Sequence, residues 1–105
     1  MMRVIGIEKL VEFNTIYSDA EVPLDAWSQI AEQAEWKHIM DVRQVYPHAD
    51  FVEGYTVFNI GGNKYRLITK ITYIVKIIDI RYVLTHSEYD EGKGKNDAHF
   101  VSLVL

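Results

Sequence analysis

Lys64, Arg66, Ile68 and Lys70 alternate along the chain with Tyr65, Leu67, Thr69 and Ile71. Alternate residues of a strand point to opposite faces of a sheet. This register places three cations on one face and turns Tyr65, Leu67 and Ile71 toward a core. Just beyond the next apolar run stand Thr85, His86, Glu88, Tyr89 and Asp90. Cations on a sheet face beside a His and a Tyr suit a polyanionic substrate and proton transfer. RNA cleavage needs both, because the 2′-hydroxyl loses a proton, the phosphorane gains charge and the 5′-oxygen takes up a proton. An arginine holds such a phosphate bidentately, and His or Tyr moves the protons.

Each residue also has a plainer reading. Arg66 alone is well explained as a strand cation paired with Glu88 or Asp90, since perturbed or paired ions are more often structural than catalytic. His86 fits a ring bonded to a nearby carbonyl or to Asp90. Tyr89 fits a packing residue with a solvated hydroxyl, and Lys64 and Lys70 fit a solvated strand face. What favours chemistry is the company that Arg66 keeps: Lys64, His86 and Tyr89 can converge on the same sheet face.

The elements that would position these residues follow from periodicity. Arg3-Val4-Ile5 is a short strand or a helix lead-in, and Ile7 to Tyr17 carries a helical stripe of Ile7, Leu10, Val11, Asn14 and Tyr17. Ser18-Asp19-Ala20-Glu21 supplies a cap, and Pro23 sits in the first turn of a second helix with Leu24, Trp27, Ile30, Ala31 and Ala34 on its stripe. Trp27 should be buried; Trp36 lies off the stripe, so it covers the helix end or marks a partner surface. A third short helix is expected at Asp41–Tyr46, capped by Asp41 and stopped by Pro47, followed by a loop through Asp50. Tyr55–Ile60 reads as a strand, Gly61-Gly62-Asn63 as a hairpin turn, and Tyr65–Val75 and Lys76–Leu84 as two long strands with no visible turn chemistry between them. The pattern predicts an α+β fold with helices packed on one face of a small antiparallel sheet.

Residues 1–91 form the expected domain, and residues 92–105 a C-terminal extension. The run from Glu91 to Asp97 reads as a flexible polar linker, and His99 to Leu105 as an apolar, strand-like tail suited to pairing as an added edge strand.

Composition bounds the function. With 49% apolar and 25% charged residues, the 105-residue chain has the balance of one ordinary globular domain. It has no cysteine, which excludes disulfides and thiolate metal sites. His38, His48, His86 and His99 stand far apart without zinc-binding spacing, so neither metal nor cofactor is expected. The apolar run at Met1 to Gly6 is too short for a signal peptide, and no run is long enough to span a membrane. A cytoplasmic protein is the expectation. The net charge of −4 counts against nucleic-acid binding. Between Asn63 and Arg81, however, Lys64, Arg66, Lys70, Lys76 and Arg81 face a single acid, Asp79, so a basic face on an acidic protein is permitted.

The EKLVEF stretch, DAEVPLDAW, the AEWKHIMDVRQVYPHADFV block, and above all FNIGGNKYRL with IRYVLTHSEYD, resemble in order and spacing the HigB family of type II toxins. That family belongs to the RelE-like messenger RNA interferases, and the resemblance runs from Arg3 to about Asp90. It implies a toxin that docks in the ribosomal decoding site and cuts the bound messenger without metal. It also implies a HigA-type helix-turn-helix antitoxin, through which alone DNA would be contacted. By the same resemblance Arg66 matches the arginine that binds the scissile phosphate. Lys64 matches a nearby cation, His86 a late proton-handling or charge-stabilising residue, and Tyr89 and Asp90 the terminal Tyr/Asp region. Asn59, Lys70 and Arg81 are the further RNA contacts expected. Two features depart from the pattern, the acidic net charge and the extension from Gly92 to Leu105.

The expectation is a ribosome-dependent endoribonuclease in which 2′-hydroxyl attack is stabilised by Arg66 and Lys64, with His86 and Tyr89 as the acid and base. The competing reading is an interaction module that keeps the toxin fold without cleavage and binds an antitoxin or another chain through the sheet edge and the tail. A gyrase-directed toxin of the ParE type shares the fold, but nothing in the tail residues supports it.

Overall fold

A computed structural model describes the backbone of residues 1–95 and the side chains of residues 1–90. Strand β1 (Arg3–Ile5) leads into helices α1 (Ile7–Ile16), α2 (Glu21–Gln33) and α3 (Ile39–Val45). Strands β2 (Asp50–Val52), β3 (Tyr55–Ile60), β4 (Tyr65–Thr72) and β5 (Ile77–Thr85) follow, then helix α4 (His86–Lys95). The fold is α+β. The sheet runs β1-β5-β4-β3-β2. It is antiparallel from β2 to β5, but β1 pairs parallel with β5, Val4 opposite Ile78, so the sheet is mixed rather than wholly antiparallel. No hairpin ties β1 to its neighbour, so nothing local imposes the antiparallel direction there.

Gly6 makes the β1–α1 junction possible. Its φ is 89°, and a Cβ there would lie 2.9 Å from the Ile80 carbonyl oxygen of β5. A single 3-10 turn, Ser18–Ala20, precedes α2, and Ala20 rather than Ser18 stands at the helix start, without a side-chain cap. Asp41 lies inside the first turn of α3, where its carboxylate accepts the Lys37 N–H at 2.9 Å. The turn between β4 and β5 is made by Lys76 at φ 59°, whose N–H bonds the Tyr73 carbonyl at 3.2 Å. A non-glycine residue at positive φ leaves no compositional trace, which explains why the bend was not visible.

Helices α1 to α3 lie against one face of the sheet, over a core of Leu24, Trp27, Phe58, Leu67, Ile78 and Ile80, all essentially inaccessible. Trp27 is buried as its stripe position requires. Trp36 is buried too, its ring 6.2 Å from Phe58, so it belongs to the core and not to a partner surface.

The opposite face is covered at one end by α4, a helix absent from the expected series of elements. Thr85 and Glu88 form a reciprocal capping box, Glu88 N–H to Thr85 Oγ1 at 3.1 Å and Thr85 N–H to Glu88 Oε1 at 2.9 Å. Tyr89 from this helix packs with Tyr55, Val57, Ile68 and Leu84. Helices therefore lie on both faces. The helix extends through Lys95, into the stretch expected as linker. The apolar tail His99 to Leu105 lies outside the described residues. Among the described residues no helix is long and apolar enough to cross a membrane.

Candidate active site

The strand register brings Asn59 of β3 directly opposite Arg66 of β4. Arg66 shares its sheet face with Val57 and Ile68, away from helices α1 to α3. Only 7% of Arg66 is accessible, which is rare for an arginine and demands partners for its donors. It has them. Nη1 donates to the carbonyls of Asn63 at 3.2 Å and Tyr65 at 3.1 Å. Nη2 donates to Asn63 Oδ1 at 2.6 Å and meets His86 Nδ1 at 2.7 Å. The guanidinium also lies over the Tyr89 ring, 5.8 Å from its centroid. His86 opens α4, and its N–H bonds the Lys64 carbonyl at 2.7 Å, tying the helix start to the β3–β4 turn. Its Nε2 sits 2.8 Å from Asp90 Oδ2, one helical turn on.

Arg66, Asn59, Tyr89 and Asp90 line a cleft of about 240 Å³ together with Val57, His48 and Asp50. Four of the residues singled out in the sequence thus meet in one concavity, and His86 stands immediately behind it on Arg66. A larger hollow of about 840 Å³ lies between α2 and α3, lined by Gln33, Trp36, His38 and Asp41 among others. It is wide and shallow, and none of Asn59, Arg66, His86, Tyr89 or Asp90 lines it.

His48 and Asp50 are the cleft residues that sequence reasoning missed. They come from the loop after Pro47 and the first residue of β2, braced by Arg43, whose Nε donates to the Ala49 carbonyl at 2.9 Å. Nothing in the sequence spacing marks them; only the β2–β3 pairing swings them over the Arg66 face.

Lys70 and Arg81 lie on the same face further along, both over the Tyr55 ring at 5.7 and 5.9 Å from its centroid. Arg81 reaches it because the β4–β5 register slips between Ile68 and Thr69, leaving Arg81 as the extra residue on β5. It is also paired with Asp79 at 2.9 Å, which pushes its pKa up.

Lys64 does not join this group. It precedes β4, and its ammonium lies 2.8 Å from Asp19 Oδ2 on the opposite side, where the Tyr65 hydroxyl also donates to Asp19. The bonds from Lys64 and Tyr65 hold the Asp19 carboxyl below its usual range, while the Tyr65 hydroxyl is pushed up to about 12, chiefly by its bond to Asp19. A lowered carboxylate contributes stability that disappears as pH falls through its folded value, here below about pH 4. A raised tyrosine contributes stability that is complete below about pH 10 and is lost as pH rises toward the folded value of about 12. Asp19→Asn is therefore expected to lower the melting temperature by a few degrees at neutral pH and to flatten both limbs. Thermal melts across acid and alkaline pH measure this, and parallel profiles for the two proteins would refute it.

A sequence profile of the family described as "HigB_toxin, RelE-like toxic component of a toxin-antitoxin system" matches residues 20–92. The chain belongs to the HigB toxin family. The mRNA interferase toxin HigB of Escherichia coli (strain K12) is 27% identical over 92 residues, covering 85% of this chain and 88% of that protein. The mRNA interferase HigB of Shigella flexneri matches to the same extent. That of Escherichia coli O6:H1 is 22% identical over 93 residues, 86% of this chain and 90% of the relative. The family match spans α2 to the start of α4, hence every residue of the cleft. As the toxic component of a toxin–antitoxin system, a HigB toxin implies an antitoxin partner.

Proposed function

We propose that this HigB-family toxin is a messenger RNA interferase whose cleft receives the scissile phosphate. The observation that carries the reading is Arg66, a nearly buried guanidinium held by four hydrogen bonds at the wall of a cleft it shares with Tyr89, His48 and Asn59. A buried, oriented cation of this kind suits charge that develops on a phosphorane, because it needs no reorganisation as the reaction proceeds. The names of the relatives, mRNA interferases, support the same chemistry.

In this reading the 2′-hydroxyl attacks the adjacent phosphorus, and the 5′-oxygen leaves as it takes up a proton. The products are a 2′,3′-cyclic phosphate or its 3′-phosphate and a 5′-hydroxyl. No step needs a metal. Tyr89 and His48 are cleft groups able to move protons. Lys70 and Arg81, on the same face, track the flanking backbone, and Asn59 offers an amide to a sugar or base. Cutting depends on the ribosome, which presents the messenger single-stranded. The inhibitor is a HigA-type helix-turn-helix antitoxin through which alone DNA is met, and the site of action is the cytoplasm.

A second reading has its own support: Asp50 and Asp90 bring two carboxylates into the cleft, which disfavours a polyanion and fits a fold retained for binding an antitoxin alone. The test is incubation of antitoxin-free protein with a defined messenger, in a translating extract and without ribosomes. Cuts at fixed codon positions, bearing 5′-hydroxyl ends and appearing only with ribosomes, are expected. Intact messenger in the presence of folded protein overturns the interferase and leaves the binding module.

A further inference from the structure

The hydrogen-bond pattern around Arg66 determines which nitrogen of His86 carries a proton. Each Nη of a guanidinium has two hydrogens and no lone pair to offer, and arginine stays protonated. All four Nη hydrogens of Arg66 have acceptors: Asn63 O, Tyr65 O, Asn63 Oδ1 and His86 Nδ1. His86 Nδ1 faces a donor at 2.7 Å and must therefore be bare. The imidazole proton then sits on Nε2, where Asp90 Oδ2 accepts it at 2.8 Å. The ring is neutral, with both nitrogens engaged, and only the Nε–H edge of Arg66 is left for a phosphate.

We propose that Asp90, His86 and Asn63 form a positioning chain for Arg66, in which His86 acts as a hydrogen-bond acceptor and not as a proton carrier. The proposal rests on the reading that Arg66 receives the scissile phosphate. Asp90 fixes the tautomer, His86 and Asn63 fix the guanidinium plane, and the capping box of Thr85 and Glu88 fixes the helix end that carries the imidazole. Asn63 thereby gains a function beyond its place in the turn.

The chain works only with Nδ1 bare: a proton there would set two donors against each other and open the clamp. The groups that meet the ring are Arg66 from β4 and Asp90 from α4; Lys64 offers only its carbonyl, to the His86 N–H, because its ammonium lies on Asp19. Activity should therefore depend on Nδ1 staying bare, although the imidazole transfers no proton.

Two measurements test this. Nitrogen NMR of the labelled wild-type protein at neutral pH should show Nδ1 unprotonated and Nε2 protonated in His86. The reverse tautomer, or a charged ring, overturns the proposal whatever the protein does to RNA. Kinetics of messenger cleavage supply the second. His86→Ala and Asn63→Ala are each expected to lose roughly 10²-fold in kcat/KM, the scale of a misplaced catalytic group. His86→Asn places an amide oxygen near the former Nδ1 and should recover most of what the alanine variant loses. If His86→Asn is as inactive as His86→Ala, the imidazole carries a proton and the proposal falls. A wild-type protein that cuts nothing defeats the interferase reading, and the NMR result then still judges the clamp.

Discussion

Arg66→Ala is expected to lower messenger cleavage by about 10²–10³-fold, the usual cost of removing one preorganised donor from developing negative charge. The variant loses the cation in the cleft and also the group that organises its neighbours, because Asn63, His86 and the Tyr89 ring all address the same guanidinium. Arg66→Lys keeps the charge but not the planar fork, so it is expected to recover little. Lys64→Ala is the instructive contrast: its ammonium is on Asp19, so it should change cleavage far less than Arg66→Ala. Removing the guanidinium also leaves the Tyr65 carbonyl and Asn63 Oδ1 without their donor, a stability loss of about 1–3 kcal/mol. Cleavage is therefore to be compared at a temperature where circular dichroism shows both proteins folded. If Arg66→Ala cleaves within about tenfold of wild type under those conditions, Arg66 does not stabilise the developing charge. The phosphate then lies elsewhere on the face, with Lys70 and Arg81 the next cations to remove.

Much of this arrangement was legible in the sequence, for identifiable reasons. The β3 strand and the Gly61-Gly62 turn match their expected places because alternation and positive φ at glycine leave direct traces; Gly61 and Gly62 have φ of 64° and 71°. The assignment of Arg66 to a face opposite Tyr65 and Leu67 follows from the same period. Lys64 shows where period-two reasoning ends. It stands one residue before β4, so the face rule does not govern it, and Asp19 from far away in sequence captures it. Helix α4 was missed although its signal was present, since Thr85-His86-Ser87-Glu88 has the spacing of a capping box. The two glycines at 92 and 94 and the absence of an apolar stripe argued against a helix more loudly than the cap argued for one. His48 and Asp50 were illegible for another reason: β2 is three residues long, too short to carry a period, and only its pairing with β3 brings them to the cleft.

The largest effect on stability is expected at Phe58. It is fully buried in β3, and three aromatic rings meet it, Trp27 at 5.4 Å, Tyr46 at 5.3 Å and Trp36 at 6.2 Å between centroids. Helix α2, the segment after it and the end of α3 are thus joined to the sheet through one side chain. Phe58→Ala should destabilise by about 3–5 kcal/mol, transfer and cavity terms combined. That is a large share of the roughly 5–15 kcal/mol that holds a domain together. Phe58→Leu, closer in volume, should cost about 1 kcal/mol. Urea unfolding followed by far-ultraviolet circular dichroism measures both, and a loss under about 1 kcal/mol for the alanine variant would show that the aromatic cluster closes over the gap. The position of Phe58 makes the experiment informative about function as well. Its neighbours in β3, Val57 and Asn59, face the cleft, while Phe58 faces the helices. Its ring touches nothing that would meet substrate, so cleavage by Phe58→Ala should fall only in proportion to the folded fraction and recover as the temperature is lowered. Arg66→Ala should remain inactive while folded, and that divergence separates a residue that holds the site in place from one that forms it.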